Sequence, residues 1–141
     1  MRVLGIDVGE RRVGLAISDR SRTLARPLTT LTVASVTEAV QRVAAMIVDL
    51  RDEDDGLDRV VVGVPSRLDG SATTATPHVL DFIDRLRTTA SVPIVTEGER
   101  LTSREAESRL AINERDWRKR KQKLDAAAAA VILQDYLDRT S

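Results

Sequence analysis

Four carboxylates stand where the surrounding sequence is built to be buried or to turn. Asp7 interrupts GIDVGERRVGLAISD: Val3, Leu4 and Ile6 before it are strand formers, and Val13, Leu15 and Ile17 resume an alternating pattern after Gly9. That pattern is a β-hairpin with one acid on an apolar wall. A carboxylate there is costly unless a cation or a metal pairs with it. Glu97 and Glu99 lie in TEGERLTS, just past the end of an apolar strand. Asp125 opens LDAAAAAVILQDYLD, and its helical face continues through Ala128, Ala129, Ile132 and Tyr136. Oxygen ligands of this kind suit a hard divalent cation, Mg²⁺ or Mn²⁺, and with no Cys and a single His little is left for zinc. Two such ions about 4 Å apart activate a water and stabilise the leaving oxygen in phosphodiester cleavage.

Each acid taken alone has a plainer reading. Asp125 could cap its helix, where an acid is favourable by roughly 0.3–1 kcal/mol. Glu97 and Glu99 could be loop charges, and Asp7 could close an Asx-type turn with the glycine beyond it. The three distant segments together are more specific than any one of them.

The elements that must position these acids follow from patterning. Residues 3–8 and 12–19 read as two strands, with a third over 23–33 that Pro27 marks as an edge or a bulge. Ser35 and Glu38 form a capping box for a helix carrying Val36, Val40, Val43, Ile47 and Leu50 at helical spacing. RVVVGV, residues 59–64, is a continuous apolar run that fits a central parallel strand. A helix with Pro77 near its first turn follows, then a fifth strand over 92–96. Thr102 and Glu105 make a second capping box for a helix to about residue 112. NERDWRKRKQK reads as a polar, basic, mobile stretch ahead of the last helix, which is apolar nearly all round and so packs on the sheet. The order is an antiparallel three-strand meander followed by parallel crossovers: one α/β domain over 1–141, with its ligand site at the carboxyl ends of the parallel strands.

Composition narrows the class without choosing a partner. At 141 residues, 42% hydrophobic and 31% charged, the chain fits a soluble globular domain able to bury about two-thirds of its unfolded surface. With no Cys, disulfides and thiolate chemistry are excluded. No apolar run approaches the ~20 residues of a membrane span and the N-terminus has no signal-peptide pattern, so a cytoplasmic, membrane-free protein is expected. Net charge is zero, but residues 100–123 carry nine Arg/Lys against four Asp/Glu, the asymmetry of a nucleic-acid-facing patch.

GIDVGERRVGLAISD, VVVGVPSRLDGS, GERLTS and KLDAAAAAVILQDYL resemble, in order and spacing, the YqgF/RuvX family, from Val3 to Leu137. That family is described both as Holliday junction resolvases and as nucleases processing pre-16S ribosomal RNA. The resemblance implies an RNase H-like α/β fold: a mixed five-stranded sheet, meander plus parallel strands, with helices on both faces. It also implies catalytic and metal-holding roles for Asp7, Glu99 and Asp125, on Mg²⁺ or Mn²⁺. The family's acid ahead of the Glu99 position is replaced here by Gly98, with Glu97 one place further back.

Around that centre, Arg11, Arg12, Arg100, Arg118, Lys119, Arg120 and Lys121 are the expected nucleic-acid contacts. A metal-dependent endonuclease on structured RNA or branched DNA is the leading expectation. Resolution of two symmetric strands favours a homodimer, whereas RNA processing requires none. A non-catalytic nucleic-acid-binding scaffold is the alternative that Gly98 keeps open. GIDVGERRVG also resembles the first phosphate loop of actin-like ATPases and sugar kinases. Those proteins need a second lobe and a glycine-rich adenosine loop, neither of which this sequence supplies.

Overall fold

The computed structural model describes residues 1–67, 69–99 and 117–140, with side chains for all of these except Glu99 and residues 117–123. Five strands form one sheet in the order β3-β2-β1-β4-β5. β1 (Arg2–Val8), β2 (Arg12–Ser18) and β3 (Ala25–Thr32) make the antiparallel meander; β4 (Leu57–Pro65) and β5 (Ile94–Glu99) add in parallel. The β2–β3 register shifts between Leu15 and Ala16, opposite the Pro27 position where a ladder donor is missing.

Alternation along the strands divides the core in two. Leu4, Ile6, Val13, Leu15, Ile17, Val60 and Val62 face α1 (Val36–Asp52) and α2 (Thr76–Thr89), packing with Val43, Ile47, Phe82, Ile83 and Leu86. Val3, Ala16 and Val61 face the opposite way, against Ala129, Ile132, Leu133, Tyr136 and Leu137 of α3 (Trp117–Thr140). Helices therefore cover both faces, as the fold class requires. α1 begins as its capping box predicts. Ser35 Oγ accepts from the Glu38 amide at 3.2 Å and Glu38 Oε2 from the Ala34 amide at 3.2 Å, an arrangement worth about 1 kcal/mol. Arg2, buried, donates to the Gly56 and Leu50 carbonyls at the other end of α1.

Two expectations are corrected. β5 does not stop at residue 96: Gly63↔Glu97, Val64↔Gly98 and Pro65↔Glu99 continue the ladder, so Glu97 and Glu99 are strand residues and not loop residues past its end. α3 begins at Trp117, eight residues before Asp125, so Asp125 lies more than two turns inside the helix and cannot be its cap. The backbone of Arg118–Lys121 is accordingly helical and not a mobile loop. The capping box at Thr102 and Glu105, its helix, and Arg100 lie outside the described residues. Among the described residues no helix is long and apolar enough to cross a membrane.

Candidate metal centre and nucleic-acid interface

The position of α3 against β1 and β2 is set by two residues that lack side chains. A Cβ on Gly5 would meet Leu133 Cβ at 2.7 Å and the Ala129 carbonyl oxygen at 3.1 Å. A Cβ on Gly14 would fall 2.0 Å from the Asp125 carbonyl oxygen and 2.4 Å from its carbon. The helix backbone thus rests directly on the sheet at both points. Gly14 is also the cross-strand partner of Asp7, and directly opposed residues of an antiparallel pair share a face. Asp7 and the Asp125 segment are therefore neighbours on the α3 face, at the carboxyl end of β1. Asp7 is half-buried within a strand that is otherwise buried throughout.

Elsewhere along α3, side chains fix the helix in register. Gln134 accepts from the Ala25 amide at 2.9 Å and donates to the Thr23 carbonyl at 2.9 Å, clamping α3 to the start of the edge strand β3. The Tyr136 hydroxyl accepts from Arg59 of β4 at 2.6 Å. Arg139 pairs with Glu97 of β5, its Nε 3.3 Å from Oε1 with a closer contact between Nη2 and Oε2. The hydrogen bond to Glu97 holds the Arg139 guanidinium above the ordinary arginine range. All five strands thereby determine where Asp125 stands.

At the open end of the β1–β2 turn, Gly9, Glu10, Arg11, Arg12 and Asp125 line a cavity of about 350 Å³. The Gly9 amide donates to the Arg12 carbonyl at 2.8 Å, which pins the turn. Arg12 Nε lies 2.9 Å from Asp125 Oδ2, with the two side chains 31% and 25% exposed. Arg11 is exposed at the rim. Sequence reasoning placed both arginines near the acids but gave no sign of the Arg12–Asp125 pair, because the partners are 113 positions apart.

Among the described residues no three His, Cys, Asp or Glu side chains form a metal-holding group. The acids the structure places on one face are Asp7 and Asp125, whose carboxylates are hard oxygen groups of the kind that suits Mg²⁺ or Mn²⁺. Glu99 occupies the last position of β5, two residues beyond Glu97, and its side chain lies outside the described residues. Glu97 is already engaged by Arg139, so Glu97→Gln should leave Mn²⁺ affinity within twofold of the wild type. Because Arg139 is 59% exposed and its charge is screened by solvent, the melting temperature of the variant should stay close to that of the wild type. A Cβ on Gly98 meets nothing within 4 Å. Position 98 also alternates to the sheet face opposite Glu97, so the missing acid there takes no donor from the α3 face. The side chains of Arg118, Lys119, Arg120 and Lys121 lie outside the described residues; their backbone forms the first turns of α3, ahead of Asp125.

A mixed five-stranded sheet in this order, with acids at the carboxyl end of its first strand and on the helix that crosses it, defines the RNase H-like class. The fold agrees with solved structures of that class. One is RuvC of T. thermophilus in complex with a Holliday junction substrate, with a TM-score of 0.56 and 18% identity over 100% of this chain and 96% of that one. Another is the fowlpox virus Holliday junction resolvase, with a TM-score of 0.55 and 12% identity over the whole of both chains.

Within that class, residues 1–139 match the family described as RuvX: Holliday junction resolvase. The chain belongs to the RuvX (YqgF) family, and with it to the nucleases. A protein of Desulforudis audaxviator named "Putative pre-16S rRNA nuclease" is 36% identical over 138 residues, 98% of this chain and 94% of that protein. A protein of the same name from Caldanaerobacter subterraneus subsp. tengcongensis is 39% identical over 140 residues, 98% and 96% of the two chains.

Proposed function

We propose that the chain is a single RNase H-like nuclease domain over 1–141, hydrolysing phosphodiester bonds in structured nucleic acid with a divalent cation. The substrate is precursor 16S rRNA, cut at its 5′ side, or a four-way DNA junction; pre-16S rRNA stands in the relatives' name and the Holliday junction in the family's description. One observation carries the reading: Gly14 brings Asp7 and the Asp125 segment onto one face of the sheet. Asp7, Glu99 and Asp125 would hold Mg²⁺ or Mn²⁺, and the carboxylate oxygens of Asp7 and Asp125, on one face of the sheet, fit such an ion. When bound, the ions supply activation of the nucleophile and charge for the leaving oxygen.

The chain's own residues do the rest. Asp7 is half-buried on a strand whose backbone is fixed by pairing with Gly14 of β2, so its carboxylate starts from a positioned base. Arg11 and Arg12 at the cavity rim position the phosphate backbone, and Arg100, Arg118, Lys119, Arg120 and Lys121 would add to that grip. These contacts carry no sequence information. Affinity should therefore fall steeply with salt and depend on the shape of the substrate.

The test is a paired cleavage assay on the purified chain. A synthetic four-way DNA junction and a precursor-rRNA fragment are each incubated with Mg²⁺, Mn²⁺ or EDTA. Metal-dependent cutting of one of them establishes the chemistry and the substrate class together. Binding of both without cutting, at every metal concentration, would replace the nuclease reading with that of a nucleic-acid-binding scaffold.

A further inference from the structure

Arg12 stands in two places that the proposed function needs at once. Its guanidinium is 2.9 Å from Asp125 Oδ2, an oxygen of a proposed metal ligand. It also lines the open cavity with Arg11, where a phosphate would enter. The backbone of Arg12 is fixed: its carbonyl accepts from the Gly9 amide at 2.8 Å, and it pairs with Thr32 of β3. The side chain is long and one-third exposed, so it can turn about this fixed base.

A dication held by Asp125 would repel the neighbouring guanidinium and compete with it for the same carboxylate charge. A phosphate in the cavity offers the displaced guanidinium a second, bidentate anion. We propose that Arg12 is an exchange residue: without metal it neutralises Asp125, and on metal loading it transfers to a substrate phosphate. The proposal rests on the metal-dependent reading above and adds to it a coupling between the two ligands. Metal and nucleic acid each strengthen the other's binding, by the same factor in both directions, because each removes a competitor of the other.

Two measurements on the full chain test this. Mn²⁺ alone is titrated by electron paramagnetic resonance against the wild type and Arg12→Gln. Removal of the competing cation should tighten Mn²⁺ binding about three- to tenfold, with Asp7→Asn as the weakened control. The junction and the precursor-rRNA fragment are then bound in EDTA and in Mn²⁺, scored on the uncut substrate in a gel shift. In EDTA, Arg12→Gln should bind within twofold of the wild type, since Arg12 is engaged by Asp125. In Mn²⁺ it should bind five- to tenfold more weakly. Asp125→Asn, which releases Arg12 without metal, should bind more tightly in EDTA, and adding Arg12→Gln should remove that gain.

Equal losses in EDTA and Mn²⁺ would make Arg12 an ordinary phosphate contact and overturn the exchange. Unchanged or weaker Mn²⁺ binding by Arg12→Gln, with a lowered melting temperature, would make the pair a structural tether and overturn it too. Absence of Mn²⁺ binding in every variant, wild type included, would instead reject the metal-dependent reading, and the exchange with it.

Discussion

Asp7→Asn is expected to lower metal-dependent cleavage by at least about 10³-fold, roughly 4 kcal/mol of transition-state stabilisation, while the protein still folds. The amide keeps the shape of the carboxylate, so the packing of Gly14 against α3 is undisturbed. What it removes is a full negative charge on the face where Asp125 also stands. Two hard donors hold a divalent ion far better than one, and an amide oxygen is a weak substitute for a carboxylate. The expected result is therefore a loss in turnover and in Mn²⁺ affinity, with nucleic-acid binding in EDTA unchanged or slightly improved by the lost repulsion. Circular dichroism and thermal unfolding would check the fold, and a single-turnover assay on whichever substrate is cut would check the rate. Full activity in Asp7→Asn would remove Asp7 from the chemistry and leave its place in the apolar strand to be explained by packing alone.

The residues that made Asp7 conspicuous are the ones that encode the hairpin, which is why this part of the site was legible. Val3, Leu4, Ile6, Val13, Leu15 and Ile17 alternate, and alternation is a local signal that a two-strand ladder obeys. The capping box at Ser35 and the apolar run at 59–64 were legible for the same reason. The sequence marks the end of β5 at residue 96 because Thr96-Glu97-Gly98-Glu99 is poor in strand formers. Its extension comes from the ladder to Val64 and Pro65, a long-range pairing that the local sequence does not contain.

The early start of α3 is carried by helix propensity and not by periodicity. Residues 117–123 have no apolar periodicity, but Arg, Lys and Gln are strong helix formers, and that propensity outweighs the lack of a stripe. The consequence for the site is substantial, since Asp125 changes from an end-cap to a residue held inside a rigid helix. Not legible at all was the contact that joins the acids. Gly5 and Gly14 look like ordinary strand glycines until a helix from more than a hundred residues away is laid across them. The Arg12–Asp125 pair is hidden by the same separation.

Gly14→Ala therefore carries the other large expected effect, and it acts through the backbone of Asp125 without altering any carboxylate. The added methyl would lie 2.0 Å from the Asp125 carbonyl oxygen, 2.4 Å from its carbon and 3.0 Å from the Ala126 nitrogen. All three are backbone atoms, so no side chain can rotate away, and α3 must lift or β2 must bend. Overpacking of this kind costs roughly 1–3 kcal/mol, and the apolar contacts of Ile132, Leu133, Tyr136 and Leu137 with the sheet remain to hold the fold. The shift falls at Asp125, where displacement of about 1 Å is enough to cost on the order of 10²-fold in rate. The expected variant is folded and somewhat less stable, binds Mn²⁺ weakly and cleaves at about one-hundredth of the wild-type rate. Gly98→Ala provides the contrast, since its methyl enters open space, and it should match the wild type in both measurements. Wild-type cleavage by Gly14→Ala would mean that α3 yields without moving Asp125 relative to Asp7. The close approach at Gly14 would then be a packing feature, separate from the chemistry of the site.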